Sequence, residues 1–508
     1  MFFFCIMKKV TDAYEQAKKL LKGRLDGHYQ HEGVKWMLER ELDKRHGGIL
    51  ADDMGMGKTM QAIGLMRGNQ VKTLIVSIVG TVNQWRDALI EFGGYKPIII
   101  NPSFSGILPD KGVEVCITTY SSFQKVKPAA CLTNTEWGRV ILDEGHLIRN
   151  PATKLFKEIN KINADLKWIL SGTPVQNSHK DLITLAKFIG IATKEVDDIV
   201  NNIVLRRTQE GQGLENPRLA LPPLTTEVVK LEFNTPEEKA LYDAVEDYFM
   251  ENSNKNTFEA IESLTRCRQV CTNPFLYKMG MSKKKLSGSK RKAPDFDDYI
   301  KKEDITSTKT TWLVEAVKKH KGKCLIFCIW TGEMKYIQDA LEKEGIASLM
   351  YDGHLSRDNK ESVLYNFKNT EIPVLLIQIT CGSSGLNLQC ASMVFITSPH
   401  WNPCVELQAI GRSYRKGQTE CVKCVRLVIA GTVEEKCMEI QYRKMQYIKD
   451  TMNDDSLMMR LGGDASSSSS QCDDLEDIKE IFSSAKKPKL TESASLEDLL
   501  DAYLFDAG

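Results

Sequence analysis

No apolar run in this 508-residue sequence approaches the roughly 18–20 residues that a helical membrane span requires. A membrane protein is therefore not expected. Charge of one sign is also missing: 68 lysines and arginines face 67 aspartates and glutamates, a formal net charge of +1. The whole-molecule field does not announce a polyanionic partner, so any grip on nucleic acid has to come from local patches. Residues 1–7 are too short for a signal-peptide core and follow no basic segment, which points to an intracellular chain. Metal-ligand spacings are scarce. Among 14 cysteines the one CxxC pair is Cys421 and Cys424. It lies in an apolar stretch that reads as a strand, so its two side chains point to opposite faces. No second pair or histidine cluster accompanies it, and a zinc site is not expected there. The remaining thiols read as small core residues of a reducing compartment.

What is present is enough apolar material for large cores. Hydrophobic residues make up 42% of the chain and charged residues 27%, and the length favours two to four domains. Continuous apolar runs at 73–79, 98–100, 113–118, 140–142 and 168–170 alternate with helical stretches. Continuous rather than alternating hydrophobicity marks strands buried on both faces, as in a parallel sheet covered by helices. The pattern restarts with runs at 324–328, 374–379, 393–396 and 425–429. The expected fold class is therefore α/β, with two parallel-sheet lobes and a helical insertion between them. The expected boundaries are 1–225 for the first lobe, 226–304 for the insertion and a basic linker, 305–450 for the second lobe, and 451–508 for a tail.

The linker carries Lys283, Lys284, Lys285, Lys290, Arg291 and Lys292. It reads as a solvated flexible segment, a loop touching nucleic acid, or an import signal. The tail is low in complexity at 466–470 and acidic beyond. Ser495 to Asp498 resembles a capping box, with Leu496, Leu499, Leu500, Tyr503 and Leu504 on one helical face. It reads as a docking helix for a protein partner or as a frayed end.

Chemistry concentrates in a few strings. Gly47-Gly48-Ile49-Leu50-Ala51-Asp52-Asp53-Met54-Gly55-Met56-Gly57-Lys58-Thr59 resembles a phosphate-binding loop. Glycines let backbone N–H groups approach phosphates, and the helix that follows presents its positive end. Lys58 would meet the β- and γ-phosphates of ATP, and the Thr59 hydroxyl would hold Mg²⁺. The loop residues Asp53, Met54, Gly55, Met56 and Gly57 would line the nucleotide. Asp52 stands where the strict pattern has its first glycine. Further on, Asp143 and Glu144 end a buried strand. A phosphoryl-transfer enzyme needs one carboxylate on Mg²⁺ and a second to orient the attacking water, and Asp143 and Glu144 fit those roles in that order. Ser171 and Thr173, in Ser-Gly-Thr-Pro, follow the next strand and are candidates for coupling the ATP site to a nucleic-acid cleft. Arg412 and Arg415, in Gln408-Ala409-Ile410-Gly411-Arg412-Ser413-Tyr414-Arg415, are spaced to share a helical face. They read as arginine fingers, groups worth ~10³–10⁵ in rate, or as phosphate contacts.

These strings resemble, in order, motifs I, II, III and VI of superfamily-two motors. Several more resemble the Swi/Snf-type branch, nearest its repair and transcription-termination members. They are Leu25 to Val34, Leu74 to Trp85, Ile117 to Tyr120, Leu205 to Thr208, Leu264 to Pro274, Trp401 to Gln408 and Gly431 to Lys436. The resemblance spans roughly residues 20–450. It implies RecA-like lobes, Gln30 as the adenine contact, and Gly382, Asn387 and Gln408 as contacts to DNA or coupling residues. Motif V departs from the family: only Gly382 of the usual glycine pair is kept. No cysteine/histidine array of a ubiquitin-ligase insert occurs.

The resemblance further implies an ATP-driven translocase on double-stranded DNA that remodels or clears DNA-bound protein complexes, acting in a nucleus or at a viral replication site. A strand-separating DNA or RNA helicase and a catalytically silent scaffold are the competing readings. Intact Lys58, Thr59, Asp143, Glu144, Arg412 and Arg415 weigh against the scaffold.

Overall fold

The computed structural model describes residues 2–21, 24–25, 27–43, 46–104, 108, 114–215, 220–252, 257–286, 295–299, 307–383, 385–454 and 456–462. The acidic tail helix and the linker lysines Lys290 and Lys292 lie outside the described residues. The chain divides into a first unit of residues 1–221 with 450–454, and a second of 222–449 with 455–508.

In the first unit the apolar runs become five strands of a seven-stranded parallel sheet, four of them inner and the run at 98–100 at an edge. Its strands are β1 (Gly47–Leu50), β2 (Thr73–Ser77), β3 (Ile98–Ile100), β4 (Val115–Thr119), β5 (Trp137–Asp143), β6 (Ala164–Leu170) and β7 (Val204–Leu205), in the order β3-β4-β2-β5-β6-β1-β7. Because neighbours are parallel, every strand delivers its carboxyl end to the same edge, where ligands of open α/β sheets bind. Helix Phe2–Leu21 places Val10, Tyr14, Ala17 and Leu21 at helical spacing, and all four are buried. Three of these, Val10, Tyr14 and Leu21, share a core with Val34 and Met37 of helix Gly27–Leu42 and with Ile63, Ile75, Ile141 and Trp168.

One buried ion pair ties that layer together. Arg139 in β5 and Glu41 are both wholly buried, and Arg139 Nε donates to Glu41 Oε1 at 2.6 Å. Trp168 Nε1 donates to the same carboxylate at 2.8 Å.

The second unit holds a six-stranded parallel sheet: β8 (Leu224–Leu231), β9 (Cys324–Cys328), β10 (Ser348–Tyr351), β11 (Val374–Gln378), β12 (Met393–Ile396) and β13 (Val422–Ile429), ordered β10-β11-β9-β12-β13-β8. β8 comes from a segment with no apolar run. It is an edge strand, and its positions alternate between exposed and half-buried. Cys421 is exposed and Cys424 buried, as their spacing at a strand predicts.

The helices Pro236–Asn252, Thr257–Thr272 and Pro274–Leu286 belong to this unit. Leu241, Val245, Leu264 and Val270 share a core with Trp401, Ile429 and Val433. The last of these helices runs into the basic stretch as far as Leu286, where the sequence suggested a flexible linker. Buried Lys309, in the first turn of helix Thr308–Lys319, fastens that helix to the segment after β12 and to Glu434. Its Nζ donates to Thr397 O at 2.7 Å, Ser398 Oγ at 2.9 Å and Glu434 Oε1 at 2.7 Å. Among the described residues no helix is long and apolar enough to cross a membrane.

Removing one member of a buried pair strands the other charge, at a cost of about 3–5 kcal/mol. Arg139→Ala is therefore expected to lower the unfolding free energy by that amount in a urea titration. Arg139→Met combined with Glu41→Leu should lose much less.

Candidate nucleotide-binding site

The loop after β1 needs glycine for two separate reasons at one position. Gly57 adopts φ 75°, ψ 37° as it caps helix Lys58–Gly68, a left-handed conformation that side chains with a Cβ rarely take. A Cβ there would also lie 2.4 Å from Gln30 Nε2. Gln30 is buried and donates from Nε2 to Met56 O at 3.0 Å and to the Tyr29 hydroxyl at 3.2 Å. The expected base-reading residue therefore packs directly on the phosphate loop.

Lys58 opens the helix and turns back over the loop, donating from Nζ to Asp52 O at 2.6 Å and to Asp53 O at 3.0 Å. Burial pulls its ammonium below the usual lysine range, while the carboxylates of Glu144, Asp52, Asp53 and Asp143 oppose that shift. Thr59 follows, half-buried in the first turn, and Met54 and Gly55 are half-buried in the loop.

Asp52 and Asp53 point away from the loop and carry its anchors. Wholly buried Asp52 accepts a two-pronged pair from Arg207, Nε to Oδ1 at 2.9 Å and Nη2 to Oδ2 at 2.5 Å, and a bond from Gln61 Nε2 at 2.9 Å. Asp53 lies 3.2 Å from Arg206 Nη2 and accepts the Gln209 N–H at 3.1 Å. Arg206 also donates to Ala51 O at 2.9 Å and Gly172 O at 3.0 Å and pairs with Asp454 of the same unit. The aspartate at the strict pattern's glycine position is thus an anchor, tied to Arg207 of the Leu205–Thr208 string, to which the sequence alone gave no role. The available signal was the acidic doublet: two buried carboxylates require two cations, and Arg206-Arg207 is an adjacent basic doublet.

At the end of β5, Asp143 Oδ2 accepts from Trp85 Nε1 at 2.8 Å and from Ser77 Oγ at 3.0 Å. Burial raises its carboxyl above the usual range; the bonds from Trp85 and Ser77 and the charge of Lys58 pull it back down. Glu144 follows in a left-handed conformation at φ 51°, uncommon for a residue with a Cβ. That turn aims consecutive carboxylates in different directions. Glu144 Oε2 lies 3.4 Å from His146 Nδ1, which also meets Ser171 Oγ at 2.9 Å. Burial, with Arg149 and Lys58 nearby, pushes His146 down to about 3, so its ring is neutral at pH 7 and its contact with Glu144 is not an ion pair. Ser171 Oγ in turn accepts the Thr173 N–H at 3.2 Å. Lys58, Asp143, Glu144, Gln30, Ser171 and Thr173 therefore share one edge of the first sheet.

The other predicted residues lie in the second unit. Helix Pro403–Ile410 carries buried Gln408 and ends at Gly411. Arg412 and Arg415 follow in turns, which corrects the expectation that they share a helical face. Tertiary bonds divert the backbone there: Arg412 O accepts the Leu388 N–H at 3.0 Å, and Ser413 Oγ donates to Ala391 O. Arg412 is buried, and Arg415 Nη1 donates to Leu386 O at 3.2 Å. Gly382 is buried, and a Cβ there would meet Phe327 at 3.0 Å; Asn387 is exposed. Beneath this region Glu406 accepts from His400 N at 2.6 Å, Arg426 Nε at 2.8 Å and Gln441 Nε2 at 2.6 Å, which fixes the start of the helix bearing Gln408.

Oxygen ligands suit Mg²⁺, which takes one or two carboxylates with substrate phosphates. The Asp143 carboxylate and the Thr59 hydroxyl are a donor set of that kind. Among the described residues no group of three or more His, Cys, Asp or Glu is placed to hold a metal by itself.

Burial pushes the His400 ring down to about 3. The unfolded chain protonates it below about 6.5, so between those values the unfolded state binds the extra proton and acid favours unfolding. Its contribution to stability is complete above about pH 6.5 and is lost as pH falls toward 3. The unfolding free energy of the unaltered chain should therefore fall more steeply with acid than that of His400→Asn, by up to about 1.4 kcal/mol per pH unit. Denaturant titrations of both proteins across that window check it.

Comparison with known proteins matches two family profiles, the SNF2-related domain over residues 29–195 and the helicase conserved C-terminal domain over residues 308–417. A global transactivator, qualified as probable, of Orgyia pseudotsugata multicapsid polyhedrosis virus is 26% identical, covering 90% of this chain and 94% of its own. The transcription regulatory protein SNF2 of Saccharomyces cerevisiae is 25% identical over 87% of this chain, and DNA repair protein RAD5A of Arabidopsis thaliana is 25% identical over 81%. The chain spans 28% of the yeast protein and 59% of the plant one. Among solved structures, the Sulfolobus solfataricus SWI2/SNF2 ATPase core in complex with dsDNA matches 85% of this chain and 94% of its own, at 24% identity and a TM-score of 0.37.

Proposed function

The chain belongs to the Swi/Snf-type branch of the helicase-like ATPases, and from that premise we propose that it hydrolyses ATP to move along double-stranded DNA and displace or remodel proteins bound there. The observation that carries this reading is the edge of the first sheet, where Lys58, Asp143 and Glu144 converge beside Gln30.

ATP enters a loop whose lysine is already bent inward. Lys58 exchanges the carbonyls of Asp52 and Asp53 for the β- and γ-phosphates, which accept its N–H bonds as the carbonyls do but carry full charge. Gln30 and the loop residues Asp53 to Gly57 frame the base and phosphates. Thr59 and Asp143 would hold Mg²⁺, which supplies charge neutralisation on the phosphate oxygens. Glu144 orients the attacking water, and neutral His146 links Glu144 to Ser171, one of the residues assigned to coupling. Arg412 and Arg415 stabilise the charge that develops on the transferred phosphoryl group. Gly382, Asn387 and Gln408 serve the DNA side of the second unit. The working sites are a nucleus or a viral replication site, and the acidic tail is assigned to a protein partner.

The deciding measurement is ATP turnover with duplex DNA, single-stranded DNA and RNA. Duplex DNA is expected to stimulate most; preference for a single strand would favour a strand-separating helicase, and absence of turnover with any of the three would favour a scaffold. Lys58→Ala and Glu144→Gln should each fold normally and abolish turnover, and near-normal DNA-stimulated hydrolysis in either would overturn its assigned role. Affinity for duplex DNA should fall linearly on a log–log plot against salt, with a slope of about 0.9 per phosphate contacted.

A further inference from the structure

From Ile261 to Thr272 the helix Thr257–Thr272 is buried on every side, its polar residues included. A helix enclosed all round is ordinarily apolar throughout, and Arg268, at 1% exposure, departs furthest from that rule. Its Nη2 donates to Pro399 O at 2.5 Å, and its guanidinium lies over the Trp330 ring, 5.7 Å from the centroid. The carboxylates buried in this unit are committed elsewhere. Glu434 pairs with Lys309 at 2.7 Å, Glu406 with Arg426 at 2.8 Å, and Glu262 faces Arg266 at 4.0 Å. Glu238 accepts the Thr308 N–H at 3.1 Å, and Glu333 accepts the Ile329 N–H on Oε2 at 3.2 Å. Among the described residues no carboxylate pairs with Arg268, and a buried charge without a counter-charge is strongly unfavourable.

Two more N–H groups at the same place share its lack of an acceptor. Arg268 Nε, Trp330 Nε1 and His400 Nε2 are all buried with no hydrogen-bond partner among the described residues, and Trp330 and His400 are 1% and 4% exposed. The adjacent strands β9 and β12 bring them together. The Thr397 N–H donates to Phe327 O at 3.1 Å, and Trp330 and His400 each follow that bond by three residues, with Arg268 joined to Pro399 between them and the helix. His400 Nδ1 accepts the Asn402 N–H at 3.0 Å, and Asn402 O already accepts the Val405 N–H at 3.2 Å. The hydrogen of the neutral ring therefore sits on Nε2. Burial keeps that ring neutral, and the charges of Arg268 and Lys444 add to the effect.

We propose that Arg268, Trp330 and His400 form a buried site for one small monovalent anion of the halide class, chloride, which fastens the helical insertion to the second sheet. The three side chains present only N–H groups, one of them on a cation. A water molecule accepts about two hydrogen bonds and must place two hydrogens of its own; it would leave Arg268 uncompensated. A halide accepts from all three donors, needs no acceptor and cancels the charge. Lys309 and the halide then hold neighbouring segments after β12, one at Thr397 and Ser398 and the other at Pro399 and His400.

The test is the unfolding midpoint of the complete chain as sodium gluconate is replaced by chloride or bromide at constant ionic strength, so that general screening is unchanged. The midpoint of the unaltered chain is expected to rise with halide and then level off, as for a ligand bound only by the folded state. Arg268→Met removes the charge and keeps the length. Its midpoint should not respond to halide, and in gluconate it should equal or exceed that of the unaltered chain, because the uncompensated cation is gone. Trp330→Phe keeps a ring and removes one donor, and should raise the half-saturating halide concentration about tenfold, the size of one hydrogen bond to a charged group. Crystals of the unaltered chain grown in bromide should show anomalous scattering in contact with Arg268 Nε and Trp330 Nε1.

Equal midpoints of the unaltered chain in gluconate and chloride would overturn the site, as would density at Arg268 without a bromide signal. A halide response that survives in Arg268→Met belongs to another place and overturns it equally. Should Arg268→Met not fold, Trp330→Phe decides: an unmoved half-point sinks the assignment.

Discussion

Two carboxylates side by side in the polypeptide, Asp52 and Asp53, lie buried behind the phosphate loop, and the loop's geometry depends on their being neutralised. A desolvated carboxylate without a partner costs several kcal/mol or takes up a proton. Arg207 answers Asp52 with the planar fork that matches a carboxylate, and Arg206 lies against Asp53. With the side chains engaged behind, the backbone carbonyls of the same two residues face Lys58. The anchor and the cradle are thus made by one dipeptide, its side chains serving the first and its backbone the second. Arg206 further bonds Ala51 O and Gly172 O, so the segment leaving the first sheet is fastened to the loop after β6 as well as to the phosphate loop.

The charge environment around Lys58 follows from the same economy of space. The lysine is stripped of water, which disfavours its charged form, and four carboxylates oppose that shift without cancelling it. A triphosphate entering the pocket brings more negative charge and so strengthens the ammonium it meets. His146 stands at the opposite limit, neutral because burial and neighbouring cations both oppose its protonation. Its Nδ1 stands between Glu144 and Ser171 without adding charge beside the nucleotide.

Much of this was legible from the sequence, for identifiable reasons. Inner strands such as β5 and β11 are buried on both faces and show as unbroken apolar runs. β7 has two residues, β10 is half-buried for most of its length, and β8 alternates at an edge; none offers such a run. The nucleotide motifs stand out because phosphate chemistry fixes residue types at short spacing. The supports of those motifs do not: Trp85 reaches Asp143 across 58 positions and Arg207 reaches Asp52 across 155, and no local pattern encodes such a pairing. The placement of Arg412 and Arg415 failed for a related reason. Their spacing fits a helix, but long-range bonds from Leu388 and to Ala391 break it after Ile410.

β8 lies in sequence before the whole helical insertion, yet it completes the second sheet by pairing with all eight residues of β13. A recombinant fragment of the second unit begun after Leu231 would therefore be cut from its own last strand. It would display β13, a strand buried at seven of eight positions, as a bare and strongly apolar ribbon with unpaired N–H and C=O groups, an invitation to self-association. A fragment begun at Pro222 would keep that edge sealed.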